Sequence, residues 1–300
     1  MRKLASASAL AAMAFSCAFA LAPATASASP ARAARPRLAN PPSLAGKPLG
    51  TAAKRLQHVQ PGGPVSFVGD APSFGRSSRY STQDVVSNNW GGYAAARHGT
   101  KFRFIQATFF VPYVNCMNTP DSFSGHWVGL DGFSSASVEQ DGILAECNGK
   151  APEYSAWYEM FPLAPVYKSV TVHPGDSIVA SVYFNSGTNK YTLSLADTTN
   201  GQSFTVNKSC PAHVSCSRSS AEAISEAPSN GSSILPLTGF GAESYSSIRV
   251  TDRAGQRGGL RAANWDTFAI TTENPSAVVL DQPTQISRGN AFGMYWMASQ

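Results

Sequence analysis

Short segments in which apolar and polar residues alternate recur from about residue 90 to the end of the chain. In residues 191–196, Tyr191, Leu193 and Leu195 fall on one side of an extended chain, and residues 176–184 alternate in the same way. This period of two predicts strands with one buried face. The other candidate strands are residues 102–111, 126–131, 138–144, 153–161, 170–172, 202–206, 245–251, 264–271, 277–281 and 292–297.

Turn-forming residues separate these strands, as in Asn185-Ser-Gly187 and Thr199-Asn-Gly201. No stretch alternates strands with long amphipathic helices, which disfavours a parallel α/β sheet. The sequence has no repeat of fixed period, which disfavours a propeller. More than ten short strands in about 210 residues therefore predict an all-β sandwich or barrel.

The first 28 residues have the composition of an export signal. Arg2 and Lys3 precede an Ala-rich apolar stretch, and small residues follow at about 24–29. This order is that of a secretory signal peptide of bacterial style. Cys17 has Ala14 rather than a Leu-type residue three positions before it, which disfavours a lipoprotein. Beyond residue 30 no apolar run approaches the roughly 20 residues of a membrane helix. We expect a secreted, extracellular protein that has no membrane partner.

Charge divides the remainder of the chain into two parts. Residues 29–80 carry eight basic residues and one acidic residue, whereas residues 81–300 carry 13 basic and 17 acidic residues. Basic segments commonly bind nucleic acid or anionic membranes, or serve as solvated linkers. In an exported chain we favour a third interpretation, a propeptide over residues 29–82 that docks on an acidic cleft of the domain 83–300 and is later removed.

The cysteines also indicate export. Without Cys17 there remain Cys116, Cys147, Cys210 and Cys216, and an even number in an exported chain predicts two disulfides. Three pairings are possible. The short loop between Cys210 and Cys216 favours a local bridge and leaves Cys116 for Cys147. No closely spaced cysteine pair accompanies the five scattered histidines, which disfavours zinc. We expect no metal and no cofactor.

Aromatic and carboxyl residues are dense on one candidate strand, residues 154–162. The alternation places Trp157, Glu159 and Phe161 on one face. A carboxyl between two large aromatic rings is partly desolvated, which raises its pKa unless hydrogen bonds offset the effect. The usual signatures of serine hydrolases, metallopeptidases and phosphate-binding loops are missing from the sequence.

Two further segments carry candidate chemistry. In residues 137–142 Gln140 points away from Glu139 and Asp141, and in residues 221–226 Glu226 shares a face with Glu222. A glutamate and a glutamine together can hydrolyse an amide. The glutamate takes a proton from water and later donates one to the leaving amine. The glutamine amide positions that water and donates a hydrogen bond to the developing oxyanion.

Six motifs occur in the order found in the glutamic peptidases, the eqolisins, which the chain resembles over about residues 87–250. The motifs are Trp90-Gly-Gly92 after Asn89, Trp127-Val-Gly-Leu-Asp-Gly132, Val138-Glu-Gln-Asp-Gly142, Ala156-Trp-Tyr-Glu-Met-Phe-Pro162, Pro174-Gly-Asp176 and Ala221-Glu-Ala-Ile-Ser-Glu226. The resemblance implies an antiparallel double β-sheet sandwich of the lectin-like jelly-roll type. It also implies secretion as a zymogen with a basic prosegment.

Matched motif by motif, the resemblance implies a catalytic dyad of Gln140 and Glu226. The residues that would line or support the substrate cleft are Trp127, Asp131, Trp157 and Glu159. The tail from about residue 252 carries no motif that can be matched. We therefore expect a monomeric, acid-acting endopeptidase that cleaves polypeptides, is inhibited by its own propeptide and does not bind nucleic acid.

Two other functions compete with this hypothesis. A non-catalytic carbohydrate- or wall-binding sandwich would use the same aromatic face, because a fold does not determine a function. A glycosidase would use paired carboxyls such as Glu159 and Glu226. The peptidase is favoured because the sequence combines Gln140 and Glu226 with a removable basic propeptide, residues 29–82, which we call the leader.

Overall fold

The computed structural model describes Leu56, residues 59–72 and residues 82–300, all within one compact unit that spans residues 46–300. The predicted signal peptide, Cys17 and all eight basic residues of the leader lie outside these residues. The described chain forms strands β1 Thr82–Ser87, β2 Trp90–Ala96, β3 Phe102–Phe110, β4 Phe123–Leu130, β5 Val138–Asn148, β6 Ala151–Phe161, β7 Val166–Lys168, β8 Ser177–Asn185, β9 Lys190–Asp197, β10 Ser203–Lys208, β11 Ser220–Glu226, β12 Ala242–Asp252, β13 Arg257–Gly258, β14 Asp266–Glu273, β15 Val279–Pro283 and β16 Phe292–Trp296. No helix in this part of the chain is long and apolar enough to cross a membrane.

The strands follow one hydrogen-bonded path that folds into two layers. The front layer has the order β14-β2-β11-β4-β5-β6-β7, and the back layer has the order β10-β9-β8-β3-β12-β16. Strand β15 pairs with both β14 and β16 and so joins the two layers. The fold is therefore an all-β sandwich, as the sequence predicts.

The core between the layers consists of the apolar residues that alternate along the strands. Val128 and Ile143 of the front layer and Ile105 and Val182 of the back layer belong to one buried cluster. A second buried cluster lies on the outer face of the front layer, and it contains Trp90, Trp127 and Trp157. The front layer is therefore covered on both faces, and this second cluster forms the floor of a cleft.

The observed sheet differs from the predicted one in two main respects. Strand β1 pairs with β14 in the parallel direction, so the sheet is not wholly antiparallel. Residues 170–172 form no strand, although Val170 and Val172 are buried. Their apolar alternation reflects packing against the core without a hydrogen-bonded neighbour, and the nearby strand is β7 instead.

Both predicted disulfides are present. Cys116 is bonded to Cys147 at the end of β5, and Cys210 is bonded to Cys216 across a six-residue separation. The first bond closes a longer loop, with a separation of 31 residues, so it constrains the unfolded chain more strongly.

Candidate active site

Five adjacent strands of the front layer, β2, β11, β4, β5 and β6, build the floor of the cleft. Two large side chains on this floor each face a glycine on the neighbouring strand. Trp127 faces Gly142, and Gln140 faces Gly129. A Cβ on Gly142 would lie 2.2 Å from the His126 carbonyl oxygen and 2.6 Å from the Trp127 Cβ, so only glycine lets β5 approach β4 this closely beside Trp127. The glycine of each motif thus makes space beside the large residue of the other motif.

Glu226 is held at the end of β11 by a donor from β4 and a donor from the turn between β1 and β2. Trp127 Nε1 donates to Glu226 Oε2 at 2.8 Å, and Asn89 Nδ2 lies 3.3 Å from Oε1. The carboxyl is 1% exposed. Burial raises its pKa well above the usual value, and the hydrogen bonds from Trp127 and Asn89 oppose that rise. The group therefore binds a proton readily and is fixed in orientation.

Gln140 projects from near the start of β5 with both amide hydrogens engaged. Its Nε2 donates to Glu159 Oε2 at 2.9 Å and to the carbonyl oxygen of Gly62 at 2.6 Å. Its Oε1 is buried and has no hydrogen-bond partner among the described residues. Burial, and then the negative charge of Glu226, raises the pKa of Glu159, while Gln140 lowers it. Glu159 thus orients the amide toward the centre of the cleft.

The leader crosses the cleft as an extended segment, residues 59–72, that we call the strap. Gln60 exchanges two backbone hydrogen bonds with Ser229. The next contacts along the strap are made by backbone carbonyls, with Trp90 Nε1 donating to Gly63 at 2.9 Å and Asn89 Nδ2 to Pro64 at 3.1 Å. The backbone N–H of Gly62 faces Glu226 and, like Trp127 and Asn89, opposes the rise in the pKa of that carboxyl. The backbone of one leader residue therefore lies against both Gln140 and Glu226.

The predicted site residues divide into two groups. Trp127, Gln140, Glu159 and Glu226 meet in the cleft, and Trp157 packs in the same apolar cluster. The structure does not bring Asp131 to this group, because its carboxylate accepts hydrogen bonds from the backbone N–H groups of Arg218 and Ser219. Asp131 therefore fastens a loop to the end of β4.

Two residues of the cleft were not assigned from the sequence. Asn89 binds Glu226 and also accepts a hydrogen bond from the strap N–H of Ser66 at 2.8 Å, while Trp90 binds Gly63. Both belong to a motif that the sequence analysis lists, and that motif is the signal that could have identified them. In the described part of the chain no group of three or more His, Cys, Asp or Glu side chains could hold a metal ion.

Comparison with known proteins identifies glutamic peptidases of similar fold. Scytalido-glutamic peptidase, solved with a transition state analog inhibitor, is 26% identical with a TM-score of 0.60, over 70% of this chain and 98% of that one. SCP-B, a member of the eqolisin family solved with the tripeptide Ala-Ile-His, is 25% identical with a TM-score of 0.57, again over 70% and 98%. Aspergilloglutamic peptidase from Aspergillus niger, at 24% identity and a TM-score of 0.52 over 59% and 100%, supports the fold alone. No curated protein sequence matches the chain.

The sandwich, its cleft and these relatives define the class of the protein as a glutamic-type endopeptidase. Residues 88–290 match the model of the Peptidase A4 family. The chain belongs to that family. The match includes most of the tail after residue 252, where no motif could be recognised.

Proposed function

We propose that the chain is the secreted zymogen of an acid-acting endopeptidase, and that Gln140 and Glu226 hydrolyse peptide bonds with an activated water. Departure of the strap admits water to the Glu226 carboxyl and relieves the burial that raises its pKa. The ionised Glu226 then takes a proton from the water, whose oxygen bonds to the scissile carbonyl carbon. The Gln140 amide donates a hydrogen bond to the oxyanion that forms. When the intermediate collapses, the carbon–nitrogen bond breaks and the proton passes from Glu226 to the leaving amine.

The observation that carries this proposal is the contact between Gln140 and the backbone of Gly62. The Gly62 carbonyl oxygen accepts from Gln140 Nε2 at 2.6 Å, and the N–H of the same residue faces Glu226. A main-chain carbonyl thus occupies the position in which an amide donor would stabilise an oxyanion, next to a proton acceptor. Oligosaccharide binding gives no reason for this arrangement.

Action in acid and synthesis as a zymogen have support from the same contacts. The strap covers Gln140 and Glu226, so it must leave before a substrate can enter. The leader is basic and the body acidic, and protonation of carboxyls would weaken their attraction. The contacts that the described strap makes with Gln140 and Glu226 are formed by uncharged backbone groups. The basic side chains of the predicted electrostatic contact lie outside the described residues.

Secretion is supported by the composition of the first 28 residues and by the two disulfides. Disulfides persist in oxidising compartments and are rare in the cytosol. We expect polypeptides as substrates and a monomer as the active form.

A matched pair of variants on β11 tests the function. Glu222 lies on the same strand and face as Glu226, is equally buried, and also has a pKa that burial raises well above its usual value. We expect Glu226→Gln to reduce cleavage of denatured protein in acid by at least about 10³-fold, the scale of general acid–base catalysis. Glu222→Gln should cleave at nearly the wild-type rate.

Thermal unfolding of both variants shows whether each is folded before activity is compared. A folded Glu226→Gln variant with near-normal activity would remove Glu226 from the mechanism. A wild-type protein that binds an oligosaccharide and cleaves no polypeptide at any pH would favour the binding module instead.

A further inference from the structure

The strap passes through the cleft in a conformation that ordinary substrates cannot copy. Gly62 has φ of +105°, in the region that L-residues rarely adopt. A Cβ built on Gly62 would lie 1.9 Å from Gln140 Nε2 and 2.3 Å from Gln140 Cδ. Any L-residue with a side chain at this position would have to displace either the strap or the Gln140 amide.

The next residue, Gly63, has room for a side chain. A Cβ on Gly63 would meet only Phe161 Cε2, at 3.7 Å, which is ordinary contact. Gly63 has no positive φ. The requirement for glycine is therefore confined to Gly62, the residue whose backbone lies against Gln140 and Glu226.

The residues on either side hold Gly62 in place. Pro61 packs against the cleft floor, where its Cβ lies 3.4 Å from the position of a Cβ on Gly125. Pro64 is fixed by Asn89, and the Val65 N–H donates to the carbonyl of Gly132 at 3.1 Å. Proline also fixes its own φ, so Pro61 and Pro64 restrict the two ends of the Pro-Gly-Gly-Pro segment, and the glycines between them supply the unusual backbone conformation.

We propose that the strap is a plug that the enzyme does not cleave, and that its blocking depends on the absence of a side chain at Gly62. This inference rests on the proposed function of the same site and specifies its regulation. The carbonyl of Gly62 takes the Gln140 amide that a substrate would need, in a backbone pose that a chain of L-residues cannot adopt. The first maturation cut therefore falls outside residues 61–64, and the strap dissociates only after the leader is severed elsewhere.

Hydrogen exchange on the intact full-length chain at neutral pH tests the plug without any need for catalysis. The amides of Gln60, Val65 and Ser66 donate to groups of the body, so they report whether the strap is seated. We expect Gly62→Ala to accelerate their exchange at least about tenfold, because strain and a clash both oppose seating. The matched control, Gly63→Ala, should exchange within about twofold of wild type. Equal exchange in the two variants would overturn the inference.

Activity and cleavage mapping provide the second readout. Full-length Gly62→Ala should cleave a labelled denatured protein at least about tenfold faster than full-length Gly63→Ala before maturation. Mass spectrometry during acid maturation of the wild type should show the bonds between residues 61 and 64 intact after the first cut. A first cut within 61–64 would contradict the plug.

The two proposals can fail separately. If Gly62→Ala frees the strap in hydrogen exchange and neither variant cleaves any polypeptide in acid, the plug stands and the peptidase function falls. If the chain is an active peptidase and both variants exchange at the wild-type rate, the peptidase stands and the plug falls.

Discussion

The front layer buries the acid at the end of β11 differently from its other acids. Glu222, on the same strand and face as Glu226, has no hydrogen-bond partner for either carboxyl oxygen within the described residues. On the cleft face, both oxygens of Glu226 have donors, from Trp127 and Asn89. On the face toward the core, neither oxygen of Glu139 nor of Asp141 has a hydrogen-bond partner within the described residues. Gln140 lies between these two acids in sequence and points to the opposite side.

This difference shows what distinguishes a candidate catalytic acid from a merely buried one. Burial raises the pKa of Glu139 and Asp141 well above their usual values, with the charge of Asp131 adding to the effect at Glu139. The same burial acts on Glu226 and Glu159. A raised pKa therefore does not mark the site, whereas convergent donors and contact with a main-chain carbonyl do.

The largest expected effect concerns the core face and is a dependence of stability on pH. Asp281 accepts a hydrogen bond from Thr272 Oγ1 and is buried near Glu243, and burial raises its pKa from 3.8 to about 7. An acid with a raised folded pKa stabilises the fold below its unfolded pKa, and that stabilisation is lost as the pH rises through the folded pKa. By linkage, a shift of about three units corresponds to about 4 kcal/mol for this group.

Urea unfolding at several pH values between about 4 and 8 measures this effect. We expect the free energy of unfolding to fall across that range in the wild type. Asp281→Asn should flatten part of the decline, because its amide does not ionise. A wild-type stability that increases between pH 4 and 7 would show that these acids are ionised in the folded protein.

The next effect concerns the cleft face of β5. Gln140→Ala removes the amide donor, and loss of one oxyanion donor costs about 10²–10³-fold in rate. Glu139→Gln, one residue away on the opposite face, should change the rate by less than about threefold, because the buried acid is protonated in acid and the amide has the same shape. The cleavage rates of the two folded variants check this difference. Similar losses in both would mean that packing of β5 limits activity, rather than a donor on one face.

The smallest effect is the electrostatic contribution of the leader. Exposed ion pairs contribute about 0–1 kcal/mol each, and salt screens them. We expect inhibition of the matured enzyme by a synthetic peptide of residues 29–82 to weaken in acid and to weaken modestly in high salt. A peptide of residues 59–72 alone should show little salt dependence, because its contacts with Gln140 and Glu226 come from uncharged backbone groups. Inhibition constants at two pH values and two salt concentrations check this expectation. If neither peptide inhibits near neutral pH and at low salt, the leader is a solvated linker and not an inhibitory propeptide.

The sequence predicts the layers of this protein better than its cleft. Alternation identifies β8 and β9 because one face of each packs on the core and the other meets water. Strand β2, by contrast, is buried along its whole length and shows no alternation, so its pattern gives no period to detect. The face that Gln140 occupies follows from alternation. Its contact with Gly62 does not, because no local pattern connects positions so far apart. The position of Asp131 in a loop network depends on residues of a distant segment and is equally hidden.

The order of strands in the front layer makes the candidate site depend on distant parts of the chain. Strand β2 lies between β11 and β14, and β11, which carries Glu226, needs β2 and β4 on its two sides. Partners so distant in sequence give a high contact order, which slows folding and makes it depend on long stretches of chain. A nascent chain that lacks residues 266–273 leaves β2 with an open edge. The strap precedes every strand of the cleft floor, so a chain growing from its N-terminus contains the strap before it contains Glu226.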